Sequence, residues 1–379
     1  MDESVAMLLG FKTELKLNNR QRTMMLKHCG VARHAWNWGL GLTKQLLEHN
    51  KVNPDDKIPF PSAIELHKWL VALVKPENKW YYECSKSTPQ MALRALRVAW
   101  KDGLEKRKGV PKFKKKGKQD SFTLEGTIKV KGVKRIQVPV IGILKTYEKV
   151  PSVPIKTCTI SREADRWFIS YKVEVKDLEP GCSLTWMHPD VGVDLGVKAL
   201  ATLSTGKVFE GVKADKQHQA KLSRMQWLHR NKVKGSANWK KAQMQIARLH
   251  RRVANLRKDY LHKLTTYIAK NHSFVTIEDL NVRGMMANHK LAAAVQDMSF
   301  YELRRQLEYK CKLVGTKLIV ADRFYPSSKS CSKCGHLKKS LTLDERIYHC
   351  EVCNFKCDRD LNAAINLWKY AFTTESSSG

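Results

Sequence analysis

The sequence predicts a multidomain chain, α+β in its first half and α/β in its second. A small antiparallel β-barrel with an inserted helical domain comes first, followed by an α/β domain that carries a cysteine-rich insert. Three observations lead there. Apolar residues recur at every second position near the N-terminus and again across 121–175, with a helical period between the two stretches. From residue 190 onward strand-like and helix-like segments alternate. Five of the ten cysteines crowd into residues 331–357, while the others are scattered singly.

The segment LLGFKTELKL puts Leu9, Phe11, Thr13, Leu15 and Leu17 on one side of a strand. Asn18 or Asn19 suits a helix N-cap, and apolar residues keep helical spacing from Arg20 to about Glu48. Helical patterns continue in 62–74 and 89–108, punctuated by Pro59, Pro61, Pro76 and Pro89. The stretch Lys106–Lys118 holds eight cations and no acid, and Gly109, Pro111 and Gly117 make it a loop. The period of two returns in SFTLEGTIKV, RIQVPVIG, KTCTISRE and RWFISYKVEV, the last two flanking a hairpin turn at Glu163-Ala164-Asp165. A lone N-terminal strand has no sheet of its own, so the simplest topology joins it to these later strands around the helical block.

Residues 177–190 read as a linker. VGVDLGVKALATLSTGKVFEG then gives a strand, a glycine turn and a second strand. Residues 216–270 are the longest helical stretch, split at Gly235-Ser236; Ile246, Leu249, Val253, Leu256 and Tyr260 make a coiled-coil-like seam on its second arm. SFVTIEDL is a buried strand, SFYELRRQLEYKCKLVG an amphipathic helix, TKLIVAD a strand and DRDLNAAINLWKYA a final helix. TTESSSG reads as a disordered tail.

Charge narrows the function. The 69 Lys and Arg against 36 Asp and Glu leave a net +33, a field that favours phosphate-rich partners over small metabolites. A 42% apolar content excludes wholesale disorder. No apolar run approaches the roughly 18 residues of a membrane span, and MDESVAMLLGFK lacks the form of a signal peptide. A cytoplasmic protein facing nucleic acid, not membrane, is expected.

The cysteine cluster has metal-binding spacing. Cys331-Ser-Lys-Cys334 and Cys350-Glu-Val-Cys353 fit C-x₂-C…C-x₂-C, in which each two-residue turn offers two thiolates to one tetrahedral ion. Gly335 and Asn354 follow the two pairs as residues that tolerate left-handed backbone. Four thiolates imply one structural Zn²⁺, and Cys357 is a surplus thiol.

Acids inside apolar segments are the second signal. Asp194 sits in Val191-Gly-Val-Asp-Leu-Gly196, Glu278 ends Phe274-Val-Thr-Ile277, and Asp360 opens the final helix. A buried unpaired carboxylate is costly, so such residues pair with a base or coordinate a cation. Three on neighbouring elements suit two Mg²⁺ ions about 3.5–4 Å apart, the arrangement for phosphodiester hydrolysis. Taken singly they have structural alternatives: Glu278 and Asp279 at a strand exit, and Asp358 or Asp360 as a helix N-cap.

GVDLGV, then IEDLNV, then SSKSCSKCGH followed by CEVCNFKCDRDLNAAIN, in this order, resemble the TnpB (OrfB) family of insertion-sequence proteins, which is similar to small type V CRISPR effectors. The resemblance covers essentially the whole chain. It implies a first strand of a wedge-type β-barrel at 1–18, a helical recognition domain with a basic loop at 19–120 and the rest of the barrel at 121–180. It further implies a RuvC-like nuclease domain of RNase H fold at 181–326, a zinc ribbon at 327–357, a last RuvC-like helix at 358–372 and the tail at 373–379. By motif, Asp194, Glu278 and Asp360 match the family's catalytic, Mg²⁺-binding acids. Asn354 departs from the usual Gly after the last ligand cysteine, and Cys357 stands where an apolar residue is common.

The implied activity is RNA-guided, Mg²⁺-dependent cleavage of double-stranded target DNA, with a guide RNA from the element's own end and a protein monomeric on that RNA in the prokaryotic cytosol and nucleoid. A guided DNA-binding repressor without cleavage, and a DNA-joining transposase with an RNase H-type core, are the alternatives. Lys112, Lys114, Lys115 and Lys116 of the basic loop are expected to grip guide RNA. Lys240, Lys241, Arg248, Arg251 and Arg252 lie in an acid-free run from Lys216 to Lys258 expected to line the guide or heteroduplex channel. Trp36, Trp38, Trp80, Tyr81 and Tyr82 offer faces to bases, although aromatics at helical spacing commonly pack in a core.

Overall fold

The computed structural model describes residues 7–175, 188–342 and 344–375, so the expected linker and the last four residues lie largely or wholly outside it. The chain divides into two compact units, Met1–Asp177 and Leu178–Gly379.

In the first unit β1 (Met7–Lys16) runs into α1 (Asn19–Val52). Asn18 caps that helix by accepting from the Gln21 amide, while the Gln21 side chain accepts from the Asn18 amide, a reciprocal capping box. After α2 (Ala63–Trp69) the helix widens into a π turn at Leu70–Val74. A 3₁₀ turn (Lys79–Glu83) and α3 (Ser87–Leu104) complete the helical block. The basic loop follows and has no regular structure. Then come β2 (Ser121–Val130), β3 (Arg135–Val138), β4 (Gly142–Thr146), β5 (Ile155–Glu163) and β6 (Arg166–Val175).

These strands close with β1 into one barrel, in the order β1-β4-β3-β2-β5-β6. The β1–β6 register from Met7↔Val175 to Glu14↔Phe168 seals it and removes the exposed edge an open sheet would carry. The RIQVPVIG stretch is not a single strand: it is β3 and the turn that leads into its antiparallel partner β4. The helical block and barrel share a core in which Val31, Leu93 and Leu96 join Phe122, Leu124 and Ile160. His28 sits at their junction. Its Nδ1 lies 2.8 Å from the Met24 carbonyl and its Nε2 accepts from the Ser85 amide at 3.1 Å, so the ring is neutral and burial lowers its pKa.

The second unit starts with β7 (His188–Asp194), β8 (Ala201–Leu203) and β9 (Val208–Phe209), an antiparallel run with one strand more than the sequence pattern indicated. Two long helices, α4 (Ala214–Arg230) and α5 (Ala237–Asn271), break at Gly235-Ser236 as expected. Then follow β10 (His272–Ile277), the short helices α6 (Val282–Ala287) and α7 (His289–Met298), α8 (Phe300–Val314) and β11 (Lys317–Val320). Neither α6 nor α7 was visible as a separate helix in the sequence pattern. The sheet order is β11-β10-β7-β8-β9, with β7, β10 and β11 parallel.

A small hairpin of β12 (Ile347–His349) and β13 (Lys356–Asp358) precedes α9 (Arg359–Glu375). That helix continues three residues into the segment expected to be a disordered tail. Among the described residues no helix is long and apolar enough to cross a membrane.

Candidate functional site

Side chains alternate across a strand, and this alternation sorts β7. Val191 and Val193 join the core that includes α5 and α8, so Gly192 and Asp194 face the other way. On that face lies α9. A Cβ on Gly192 would stand 2.0 Å from the Ala364 carbonyl oxygen and 2.3 Å from the Trp368 amide, so only glycine lets helix and strand backbones meet.

Two short steps then bring acids together. Asp194 is two residues from Gly192, about 7 Å along the strand. Asp360 is four residues from Ala364, about 6 Å along the helix. On β10, Thr276 pairs with Gly192 and Ile277 with Val193, so Glu278 comes next to Asp194 on the same face. Asp194 is only 8% exposed, and Glu278 and Asp360 are half-buried. Burial, then the negative charges of Glu278 and Asp360, push the Asp194 carboxyl well above the ordinary carboxylate range; a hydrogen bond with Glu278 adds to this and Arg359 opposes it. Among the described residues none of the three carboxylates forms an ion pair with Lys or Arg. Three clustered acids that no Lys or Arg pairs with directly, one of them buried, are a donor set that fits divalent metal.

The structural alternatives resolve differently from residue to residue. Asp358, not Asp360, caps α9: its Oδ1 accepts from the Asp360 amide at 2.9 Å and from Leu361 at 3.1 Å. Asp279 is held by Arg304 at 2.5 Å and Arg323 at 2.6 Å, which keep its carboxyl below the usual range against the opposing effect of burial. Glu278 instead accepts from the Ser327 hydroxyl at 2.8 Å.

Ser327 was not singled out in the sequence, and neither were two asparagines of α9. Asn366 donates through Nδ2 to the carbonyls of Ser327 and Ser330, both at 2.7 Å. Asn362 donates to Ser330 and accepts from the Ser332 amide at 3.0 Å. Their i, i+4 spacing inside DRDLNAAIN was a usable signal, since it puts both amides on one helix face.

The four knuckle cysteines converge as expected: the sulfurs of Cys331, Cys334, Cys350 and Cys353 all lie within 4.8 Å of one another. Among the described residues this is the only such group, and the acidic cluster is looser. The two turns match. Gly335 donates to the Cys331 carbonyl at 2.9 Å and Asn354 to Cys350 at 3.0 Å, and both have left-handed backbone, φ +79° and +55°. Asn354 therefore does the work of a glycine here. Backbone amides at Cys353 and Val352 hold the Cys350 thiol down at about 6. Cys357 stays outside the sulfur group, half-buried in the β12–β13 pair opposite Tyr348.

The basic residues divide. Lys112, Lys115 and Lys116 are exposed on a loop pinned by Trp36 Nε1 to the Lys112 carbonyl (3.1 Å) and by Asn37 to Lys114. Lys114 is half-buried with its Nζ 4.0 Å from the Trp36 ring centroid, and burial lowers its pKa, so its charge is committed inside the protein. Trp36 and Tyr81 are core residues, whereas Trp80 and Tyr82 are exposed. On α5, Lys240, Lys241, Arg248 and Arg252 are exposed and Arg251 half-buried, outside the buried seam of Leu249 and Val253. The base of this helical pair is fixed by Asp297, which accepts from the Asp215 amide at 3.0 Å, and by an Arg257–Asp215 ion pair at 2.7 Å.

Comparison with known proteins gives a consistent set of likenesses. The OrfB_IS605 family model, described as "Probable transposase", matches residues 169–289. A Cas12f1-like TNB domain matches 300–367, and a model described as a helix-turn-helix domain matches 7–51, a segment that is here one strand and one uninterrupted helix. The "Putative RNA-guided DNA endonuclease InsQ" of Escherichia coli is 34% identical over 95% of this chain and 91% of its own length. A "Putative RNA-guided DNA endonuclease" of Streptomyces pristinaespiralis is 37% identical over 81% of this chain and 76% of its own. The protein in a solved complex of Cas12f1, guide RNA and target DNA shares the fold at 13% identity, with a TM-score of 0.54 over 96% of this chain and 98% of that one.

Proposed function

This chain belongs to the TnpB (OrfB) family, and we propose that it is an RNA-guided DNA endonuclease of an insertion sequence. The observation that carries the proposal is the convergence of Asp194, Glu278 and Asp360 from three separate elements, with the Asp194 carboxyl pushed up by burial and then by its two neighbours. The relatives' printed names support the same activity. On this reading Leu178–Gly379 is a RuvC-like domain of RNase H fold and residues 327–357 are its zinc ribbon.

Two Mg²⁺ ions would supply an activated water and neutralise the leaving oxygen of a phosphodiester. The chain's own residues do the rest. Asp194, at the end of a buried strand and the most buried of the three, would be a ligand to the metal pair together with Glu278 and Asp360. Ser327 orients Glu278, and the Asp358 cap frees the Asp360 carboxylate for metal. The Cys331, Cys334, Cys350 and Cys353 thiolates would hold one Zn²⁺, a closed coordination sphere with no position for water and so a structural one. Lys112, Lys115, Lys116 and the exposed cations of α5 grip phosphates of the guide RNA and the heteroduplex, and base pairing supplies the sequence. One protein copy per RNA, working in the prokaryotic cytosol on nucleoid DNA, completes the reading.

The test is to purify the protein with its co-expressed flanking RNA and add matched DNA and Mg²⁺. Guide-programmed double-strand cuts that vanish in Asp194→Ala, with DNA binding retained, are expected. Binding without cutting by the unmutated protein points to a repressor, and guide-independent strand joining to a transposase.

A further inference from the structure

Glu278, one of the three carboxylates, forms part of the wall of a cavity of about 370 Å³. It is built by the same strand exits that deliver the acids. Leu195 follows Asp194, and Leu280 and Val282 follow Glu278; with the ring of Phe300 they line an apolar floor. At the rim stand Tyr301, 72% exposed, and Arg304. Arg304 is not a loose cation. Asp279 and Glu308 fix its guanidinium at 2.5 and 3.1 Å, one turn of α8 after Tyr301, three residues earlier in the chain.

Resting on the nuclease reading above, we propose that this cavity receives the base of one unpaired DNA nucleotide next to the bond that is cut. Three features carry this. Glu278 stands in the cavity wall and Leu195, the residue after Asp194, lines it too, so a base held there would bring its phosphate towards the acids. Its floor is apolar and its rim offers an aromatic face with a guanidinium edge, the chemistry that holds a flat base by stacking. A base within a duplex is covered on both faces and cannot enter, so Tyr301 becomes the residue that selects displaced single strands over paired ones. Every base has a π-face, so the slot is tolerant of sequence.

The test uses the ribonucleoprotein with its co-purified RNA and cleavable DNA carrying an abasic nucleotide at successive positions around the cut. Tyr301 is exposed, so its variants should fold. Tyr301→Ala is expected to slow cutting roughly ten-fold, and Tyr301→Phe to restore it, since the ring and not the hydroxyl stacks. One abasic position should slow the unmutated protein by a similar factor and abolish its advantage over Tyr301→Ala. A second measurement needs no cutting: 2-aminopurine at that position should be quenched on binding to Asp194→Ala but not to Asp194→Ala with Tyr301→Ala. Cutting that is indifferent to Tyr301, or abasic effects that simply multiply with Tyr301→Ala at every position, would overturn the slot, as would a side chain of the protein filling it. If the unmutated protein never cuts yet quenching depends on Tyr301, the nuclease reading falls and the base slot stands. Absence of both removes both.

Discussion

Gly192 of β7 and Ala364 of α9 meet backbone to backbone, with 2.0 Å between the place a Cβ would take and the Ala364 carbonyl oxygen. Nothing flexible stands at this point to yield. Gly192→Ala should therefore push the helix off the sheet, at a cost of about 3 kcal/mol or more, and carry Asp360 away from Asp194. Urea denaturation and guided cutting should fall together. Gly41→Ala is the contrast: nothing lies within 4 Å of a Cβ there, mid-helix in α1. It should be neutral or stabilise by roughly 0.5–1 kcal/mol.

Asp358 and Asp360 are two residues apart and have opposite duties. Asp358 is exposed and caps α9 through two amides, so Asp358→Ala should cost about 1 kcal/mol with cutting largely retained. Asp360→Ala should leave the denaturation midpoint nearly unchanged and abolish cutting. Equal losses of activity in both variants would mean that the helix start, not the Asp360 carboxylate, is what matters.

The Asp194 carboxyl carries a pH signature. Its pKa in the folded protein is raised above the unfolded value, by burial first and then by Glu278 and Asp360. Between those two values the native state holds the extra proton, so without Mg²⁺ stability falls as pH rises through that window. Asp194→Asn removes the charge at nearly constant volume. In Mg²⁺-free buffer at pH 7–8 it should raise the thermal midpoint by ~2–4 °C for each kcal/mol of repulsion relieved, with the gain fading as pH falls toward 4. Added Mg²⁺ should stabilise the unmutated protein and not the variant. A midpoint unchanged by the substitution at every pH would contradict the electrostatic picture.

How far the sequence disclosed all this varied with the reach of each signal. Periodicity placed β1, α1, α5 and α8 because one face of each is buried along its length. The short helices α6 and α7 escaped, being spans of six and ten residues too brief for a period to establish itself. The knuckles were legible because metal spacing is local, and the left-handed Asn354 followed from the same reasoning. Among the acids, local context could not separate Asp358 from Asp360, or Glu278 from Asp279. That needed partners distant in sequence: Arg304 and Arg323 for Asp279, Ser327 for Glu278. The surroundings of Lys114 were hidden for a similar reason. A lysine in a basic run looks solvated until the ring of Trp36, 78 residues earlier in the chain, closes over it.

The cysteine knuckles and the acids are joined through Asn366, and their separation can be measured. Asn366 is buried, and its amide holds the carbonyls of Ser327 and Ser330, while the Ser327 hydroxyl holds Glu278. Cys331→Ser should lower the zinc stoichiometry and loosen the whole insert, whereas Cys357→Ser, outside the sulfur group, should keep one zinc per chain. Asn366→Ala acts downstream of the metal. It leaves the Ser327 carbonyl without its donor, while the Ser330 carbonyl keeps Asn362, a loss of about 1–3 kcal/mol, yet it touches no cysteine. The expected result is full zinc content with slower guided cutting, because Ser327 no longer fixes the Glu278 carboxylate. Ser327→Ala should reproduce the slower cutting with a smaller loss of stability, having removed only the last bond of the chain. If Asn366→Ala instead loses zinc, the helix supports the knuckles themselves; if it cuts at the normal rate, the tether carries nothing to the acids.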